Sequence, residues 1–278
     1  MQMVEDALAQ GTTPEEIGFM SFTKKAVEEA QSRACARFNL EAKQLPWFRT
    51  LHSAAFRTLG LSRTDMLSPE DWDALGRTLG ISFKGVDSKS PDDGILIASV
   101  GGDGSKYIQM IDRSRYRMCS LAEEFNEAED YNMHFSKMKQ IHDAVMSYKA
   151  ENLKVDFPDM IEQYLMHSPP RLQLLFIDEA QDLTPLQWEM VSHMRSNADR
   201  VVYAGDDDQA IHRWTGVDVK KFMSVTDNVE ILSQSYRLPK RVFDLSQQIV
   251  KRIETRFEKE FYPTKEEGVV DYHLTLDS

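Results

Sequence analysis

Cysteine is nearly absent from this chain: Cys35 and Cys119 are the only two among 278 residues. They carry no metal-ligand spacing and read as ordinary thiols in a reducing compartment. Positive charge is also short. Lys and Arg number 33 against 45 Asp and Glu, a formal net charge of −12. That argues against bulk, nonspecific attraction to nucleic acid by the whole chain. The deficit is uneven. Residues 1–60 balance seven acids with seven bases, and the excess lies beyond them. Any nucleic-acid track must therefore be a local groove that uses stacking as well as charge. Long apolar runs are missing too; the longest are strand-sized, so no membrane span is read. The start, Met1-Gln2-Met3-Val4-Glu5-Asp6, lacks the basic-then-apolar order of a secretory leader, and a cytoplasmic location is expected.

What is present is a globular composition, 41% hydrophobic and 10% aromatic, long enough for one large domain or two modest ones. Leu172-Gln173-Leu174-Leu175-Phe176-Ile177 is apolar except at Gln173, and it ends in the paired carboxylates Asp178 and Glu179. Pro169-Pro170 before it and Thr184-Pro185 after it bound a strand buried on both faces of a parallel sheet. The acids then fall at the carboxyl end, where open α/β sheets place ligands. Adjacent Asp and Glu there suit nucleotide chemistry, one holding Mg²⁺ and the other orienting a water. A strand ending in a solvated acidic turn would carry the same pattern.

Two more apolar runs follow, each with a polar signature. Arg200–Ala204 leads to Gly205-Asp206-Asp207-Asp208-Gln209, and Val229–Leu232 leads to Gln234-Ser235-Tyr236-Arg237. Helices are expected after Thr184-Pro185, over Val217–Val225, and from Pro239 to about Arg256. Strand–helix alternation at this spacing predicts a parallel α/β sheet. Upstream, Thr13-Pro14-Glu15-Glu16 is a short helix start, Ile17–Phe22 a strand, and Thr23 to about Phe38 a helix. Between Leu61 and Asp156 the pattern is helical. Ser68-Pro69 opens one helix that Gly80 ends. One later stripe runs Ile108, Ile111, Arg115, Met118, Ala122 and Phe125. Another runs Phe135, Met138, Ile141 or His142, and Val145. The glycine-rich stretch at residues 85–104 is expected to loop, with a short element at Ile95–Ile97. Its Gly101–Lys106 lacks the arrangement of a phosphate loop.

DEAQD at residues 178–182, GDDDQ with the downstream Trp214, and the Tyr236-Arg237 pair stand in a fixed order. The series resembles the UvrD/Rep-type helicases of superfamily 1. Ser21-Phe22-Thr23-Lys24-Lys25-Ala26 and Phe48–Ser53 are similar to that family's motifs Ia and Ib. The resemblance implies a RecA-like, P-loop NTPase-type α/β sheet, incomplete here, with an inserted helical subdomain. It implies the first motor domain over 1–60 and 156–265, the helical insertion over 61–155, and the start of a link to a second motor domain over 266–278. Its cofactors are ATP and Mg²⁺. Asp178 would hold the metal and Glu179 would activate water. Gln209 would sense the γ-phosphate, Arg237 would act as an arginine finger, and Tyr236 would stack on adenine. DNA contacts fall to Phe22, Thr23, Thr50, His52, Ser53, His212 and Trp214. Read alone, His52 is equally a capping or core histidine, and Tyr236 a packed core tyrosine.

The sequence departs from the family at His212 and Thr215, where Tyr and Arg are usual. No GxxxxGK[ST] occurs in the 278 residues. The resemblance therefore implies part of a 3′–5′ single-stranded-DNA translocase, inactive alone, that acts on single strands or junctions. Its phosphate loop and second motor domain would be supplied by a longer protein or another chain. A degenerate binding module, or the motor portion of a helicase–nuclease, are the alternatives. With the phosphate-loop strand placed beside Leu172–Ile177, its loss is expected to leave a gap of unpaired backbone in the sheet.

Overall fold

The computed structural model describes residues 1–83, 103–128, 133–210 and 216–271. The expected short element at Ile95–Ile97 lies outside them, as do His212, Arg213, Trp214 and Thr215. Two compact units are present: Met1–Gly205 with His212–Asp218, and Asp206–Ile211 with Val219–Ser278.

The first unit opens with α1 (Gln2–Ala9), followed by β1 (Ile17–Ser21) and α2 (Lys24–Phe38). Then come β2 (Trp47–Thr50) and α3 (Leu51–Thr58). The helical stretch is α4 (Pro69–Leu79), α5 (Asp103–Tyr116), α6 (Leu121–Glu127) and α7 (Phe135–Asn152). The chain returns through α8 (Phe157–Tyr164) to β3 (Leu172–Ile177), α9 (Pro185–Arg195) and β4 (Ala198–Tyr203). The four strands form one parallel sheet in the order β2-β1-β3-β4.

β3 runs through the middle of this sheet, with Leu172, Leu174, Leu175 and Ile177 buried. Gln173, the polar break in the run, is accounted for. Its amide donates to Glu16 Oε2 at 3.0 Å and its oxygen accepts from Thr12 Oγ1 at 2.8 Å. β1 packs so closely that a Cβ on Gly18 would stand 2.9 Å from Leu175 Cδ1 and 3.0 Å from Leu172 Cδ1. Only glycine fits there without displacing the strand's buried leucines. Helix starts follow the sequence signals. Thr23 Oγ1 accepts from Ala26 N, Ser68 and Asp71 form a reciprocal capping box, and Thr184 does the same with Gln187. Gly80 ends α4 in the left-handed conformation (φ 63°), as glycine does at helix ends.

Three expectations are corrected. No gap opens beside β3, because β1 pairs with one edge and β4 with the other, and their registers are continuous. The sheet instead ends at β4, whose outer edge pairs with nothing among the described residues. The stripe through Met118 does not run on: α5 stops at Tyr116, and Met118 is exposed in a turn at φ 55°. Nor do Val229–Leu232 form a strand. Val229, Ile231 and Leu232 are exposed, and an apolar run without a neighbouring strand leaves its backbone unsatisfied.

The helical stretch has its own core, built on Trp72, Phe83, Ile108, Ile111, Met138 and Ile141. Beside that core, α5, α7 and α8 are joined by charge. The Arg115 guanidinium reaches Asp156 at 2.9 Å, Asp159 at 2.5 Å and Glu162 at 2.7 Å. Lys149 Nζ reaches Asp156 at 2.5 Å and Asp159 at 2.8 Å. Asp112 faces the same group. Burial, and then the Asp156 charge, push its carboxyl up to about 8.

The second unit carries α10 (Val219–Ser224) and α11 (Lys240–Val250), with a lone bridge between Gln234 and Tyr262. α11 buries none of its residues, although Val242, Leu245 and Ile249 lie along one apolar face.

Candidate nucleotide and nucleic-acid site

Parallel strands aim their carboxyl ends the same way, and the register brings the motif residues into one row. Ser21 pairs with Thr50, and Met20 pairs with Ile177, so Ser21 stands beside Asp178. The ladder continues past the strand ends: Asp178 N donates to Met20 O, and Ala204 N to Ile177 O, both at 2.8 Å. Ala180 N then donates to Ala204 O at 2.9 Å, which fixes the start of the turn.

Asp178 is half-buried, and the Ser21 hydroxyl donates to its Oδ2 at 3.3 Å. Burial raises its pKa, and the neighbouring Glu179 charge adds to that. Glu179 is exposed and holds φ 52°, ψ 40°, the left-handed region that a residue with a Cβ seldom occupies. Such a conformation costs about 1–3 kcal/mol and clusters at functional sites. Gln181, fully buried, donates to Glu179 Oε2 at 2.8 Å and to Asp182 Oδ2 at 3.2 Å. The turn thus holds one carboxylate in a semi-enclosed position and presents the other to solvent.

These donors fit Mg²⁺. The ion is hard, takes oxygen ligands, keeps several waters, and is usually held by one or two carboxylates together with substrate phosphates. Asp178 with the Ser21 hydroxyl beside it offers that kind of set. A cation there would also offset the crowding of negative charge at Asp178 and Glu179.

The residues expected to meet DNA divide by exposure. Phe22 is half-buried just past β1, and Thr23 is exposed while its hydroxyl caps α2. Ser53 is half-buried and accepts a bond from Arg49 Nη1 at 3.1 Å. Thr50 and His52 are buried, each 3% exposed. Thr50 Oγ1 caps α3 by accepting from Ser53 N. His52 Nε2 lies 3.1 Å from the Tyr116 hydroxyl, and its ring packs edge-on against Phe157. Burial lowers the His52 pKa to about 4, so the ring is neutral at physiological pH. His52 therefore ties the β2–α3 turn to α5 and α8. The sequence offers no sign of this, because Tyr116 and Phe157 are remote from it in the chain. Ser21 was also missed; only the strand register sets it against Asp178.

Gln209, Tyr236 and Arg237 lie in the second unit. Gln209 Nε2 donates to Asp206 Oδ2 at 2.6 Å. Asp206, Asp207 and Asp208 all meet Lys259 Nζ, at 2.8, 2.5 and 3.2 Å, and Asp208 also pairs with Arg256 at 2.8 Å. Tyr236 is 87% exposed and Arg237 is exposed, with Arg237 N donating to Ser235 Oγ at 3.3 Å. His212 and Trp214 lie outside the described residues.

A parallel α/β sheet with a helical insertion, and a half-buried Asp beside an exposed Glu at a central strand's carboxyl end, define the class: a RecA-like helicase domain. The chain belongs to the UvrD/REP helicase N-terminal domain family, which matches residues 2–230. Among curated relatives it is similar to the ATP-dependent DNA helicase PcrA of Staphylococcus aureus strain Mu50 and to that of Staphylococcus epidermidis strain RP62A. Each is 22% identical over 279 aligned residues, covering 92% of this chain. The chain spans 36% of the length of these relatives. Among the described residues no helix is long and apolar enough to cross a membrane.

Proposed function

We propose that the chain is part of an ATP-dependent translocase that moves 3′–5′ on single-stranded DNA. The motor's first domain would be built from residues 1–60 and 156–265, interrupted by the helical insertion at 61–155, with 266–278 starting the link to a second motor domain. The observation that carries this reading is the β3 terminus, where Asp178 is half-buried against Ser21 and Glu179 is held exposed at positive φ. Asp178 would hold Mg²⁺, and the ion would supply positive charge that neutralises phosphate oxygens during transfer. Glu179, solvent-facing, orients the attacking water. Gln209 senses the γ-phosphate, Arg237 supplies a guanidinium to charge that develops on it, and Tyr236 stacks on adenine. Membership of a helicase family supports DNA as the track. Phe22, Thr23 and Ser53 make the accessible contacts beside β1 and β2; His212 and Trp214 are assigned to DNA by the family resemblance of their motif. Thr50 and His52 support that surface from beneath.

These 278 residues contain no GxxxxGK[ST], the loop that cradles phosphates. By themselves they bind DNA weakly and do not turn over ATP. Fluorescence anisotropy with a labelled oligothymidylate, beside a phosphate-release assay on the same preparation, tests both statements. Binding should be micromolar or weaker, indifferent to base sequence, and reduced by the Phe22→Ala, Trp214→Ala double variant; stacking is worth ~1–3 kcal/mol per base. Undiminished binding in that variant removes the assigned track. DNA-stimulated hydrolysis that Glu179→Gln abolishes overturns the claim of inactivity. Tight binding with neither nucleotide binding nor turnover, once a phosphate loop and second motor domain are joined to the chain, makes it a degenerate module instead.

A further inference from the structure

Three consecutive carboxylates, Asp206, Asp207 and Asp208, precede the phosphate-sensing candidate Gln209. Left free, they would repel a nucleotide. Each is occupied within the second unit. Lys259 Nζ meets all three, Arg256 pairs with Asp208, and Phe257 N donates to Asp207 Oδ2 at 2.6 Å. The bonds then pass inward along the turn. Asp206 Oδ1 accepts from Asp208 N at 3.2 Å, Asp206 O accepts from Gln209 N at 2.9 Å, and Asp206 Oδ2 accepts from the Gln209 amide at 2.6 Å. Asp206 is therefore bonded on one side to Lys259 and on the other to Gln209. The side chains of Asp207, Asp208, Arg256 and Lys259 are all less than a fifth exposed, so solvent screens their pairs little, whereas Asp206, at 37%, is partly screened. Burial alone would raise Asp206 and lower Lys259, but the bonds between them reverse both, holding Asp206 charged and Lys259 charged.

We propose that Lys259 and Arg256 are positioning residues that set the orientation of Gln209 by clamping the Asp206–Asp208 turn to the segment at 256–259. The role of Gln209 itself rests on the function proposed above; the clamp does not. The turn is covalently the continuation of β4, yet its polar contacts lie with residues about fifty positions later. Gln209 accordingly follows the 256–259 segment, and this segment becomes a lever on the phosphate-sensing amide.

Hydrogen exchange on the full 278-residue chain, resolved by mass spectrometry without any ligand, reads the clamp at the amides of Asp208, Gln209 and Phe257. Lys259→Ala should speed exchange of these amides by about fivefold or more, since charge-assisted bonds are the stronger kind. Amides of β1 and β3 should not change. Lys259→Arg keeps the cation and should restore most of the protection. As a second readout, oligothymidylate affinity is measured for Lys259→Ala, Gln209→Ala and the double variant; two residues acting through one turn should give losses that do not add. Unchanged exchange in the turn overturns the proposal. So does exchange that rises equally throughout Lys240–Val250, because Lys259 would then only hold the unit together. Additive affinity losses overturn it as well. If neither the parent chain nor any variant binds the oligonucleotide, the DNA reading fails by itself and the exchange result still decides the clamp.

Discussion

Asp112→Asn should make the protein more stable, by an amount that grows with pH. Asp112 lines a small cavity of about 40 Å³ with Trp72, Ile108, Arg115, Val145 and Lys149. Arg115 and Tyr116 on α5, Lys149 on α7, and Asp156 and Asp159 at the start of α8 act on it or on its neighbours, and His142 on α7 lines the same cavity. Two cations there already serve Asp156 and Asp159 and offset only part of the cost of a third, half-buried carboxylate, so its pKa rises to about 8. A carboxyl raised in the folded state binds a proton that the unfolded chain releases above about 4. Its contribution to stability is therefore complete below the unfolded pKa and is lost as pH rises toward the folded value. The slope is about 1.4 kcal/mol per pH unit. Asn keeps the shape and has no proton to lose, so the gap between variant and parent should widen by about 3 kcal/mol from pH 5 to pH 7. Taking the difference cancels groups common to both chains, such as His52, whose depressed pKa acts in the opposite direction at low pH. Urea unfolding followed by far-UV circular dichroism at pH 5, 6 and 7 measures the gap. Parallel pH profiles for the two chains would refute the reasoning.

Two further outcomes follow from the same geometry. Arg115→Met should destabilise the first unit by about 3–5 kcal/mol, because it leaves Asp156 and Asp159 with Lys149 alone; the urea midpoint measures this, and a shift below about 1 kcal/mol would show the network to be dispensable. Glu179→Gly should stabilise by about 1 kcal/mol, since glycine adopts positive φ freely, while removing the carboxylate assigned to water activation; a lower melting temperature in this variant would mean that the left-handed turn is not strained.

The carboxyl-end row of the sheet was legible in the sequence because its signals are local. The buried run of β3, the paired acids at its end, and the caps at Thr23, Ser68 and Thr184 each lie within a few residues. The network around Arg115 was not legible. Arg115 stood in an apolar stripe, and its partners lie more than forty positions later on another helix. The same blindness hid His52 behind Tyr116, and hid Lys259 from the acids it serves. Strand order was misjudged for a related reason. Motif order along a chain does not say which strands are neighbours, and β1 closes on β3 across the whole helical insertion. At Val229–Leu232 local propensity pointed to a strand, but a strand exists only where a partner accepts its hydrogen bonds.

The side of β4 that pairs with nothing among the described residues has a consequence for handling and for engineering. A row of unpaired N–H and C=O groups is a template on which another extended segment can polymerise. Asp199 and Arg200, both exposed on that strand, stand as gatekeepers: two copies approaching side by side would have to bring like charges together or strip them of water. The same row is also a docking rail for a designed peptide, which would need alternating apolar residues to cover Val201 and Tyr203 and opposite charges to meet Asp199 and Arg200.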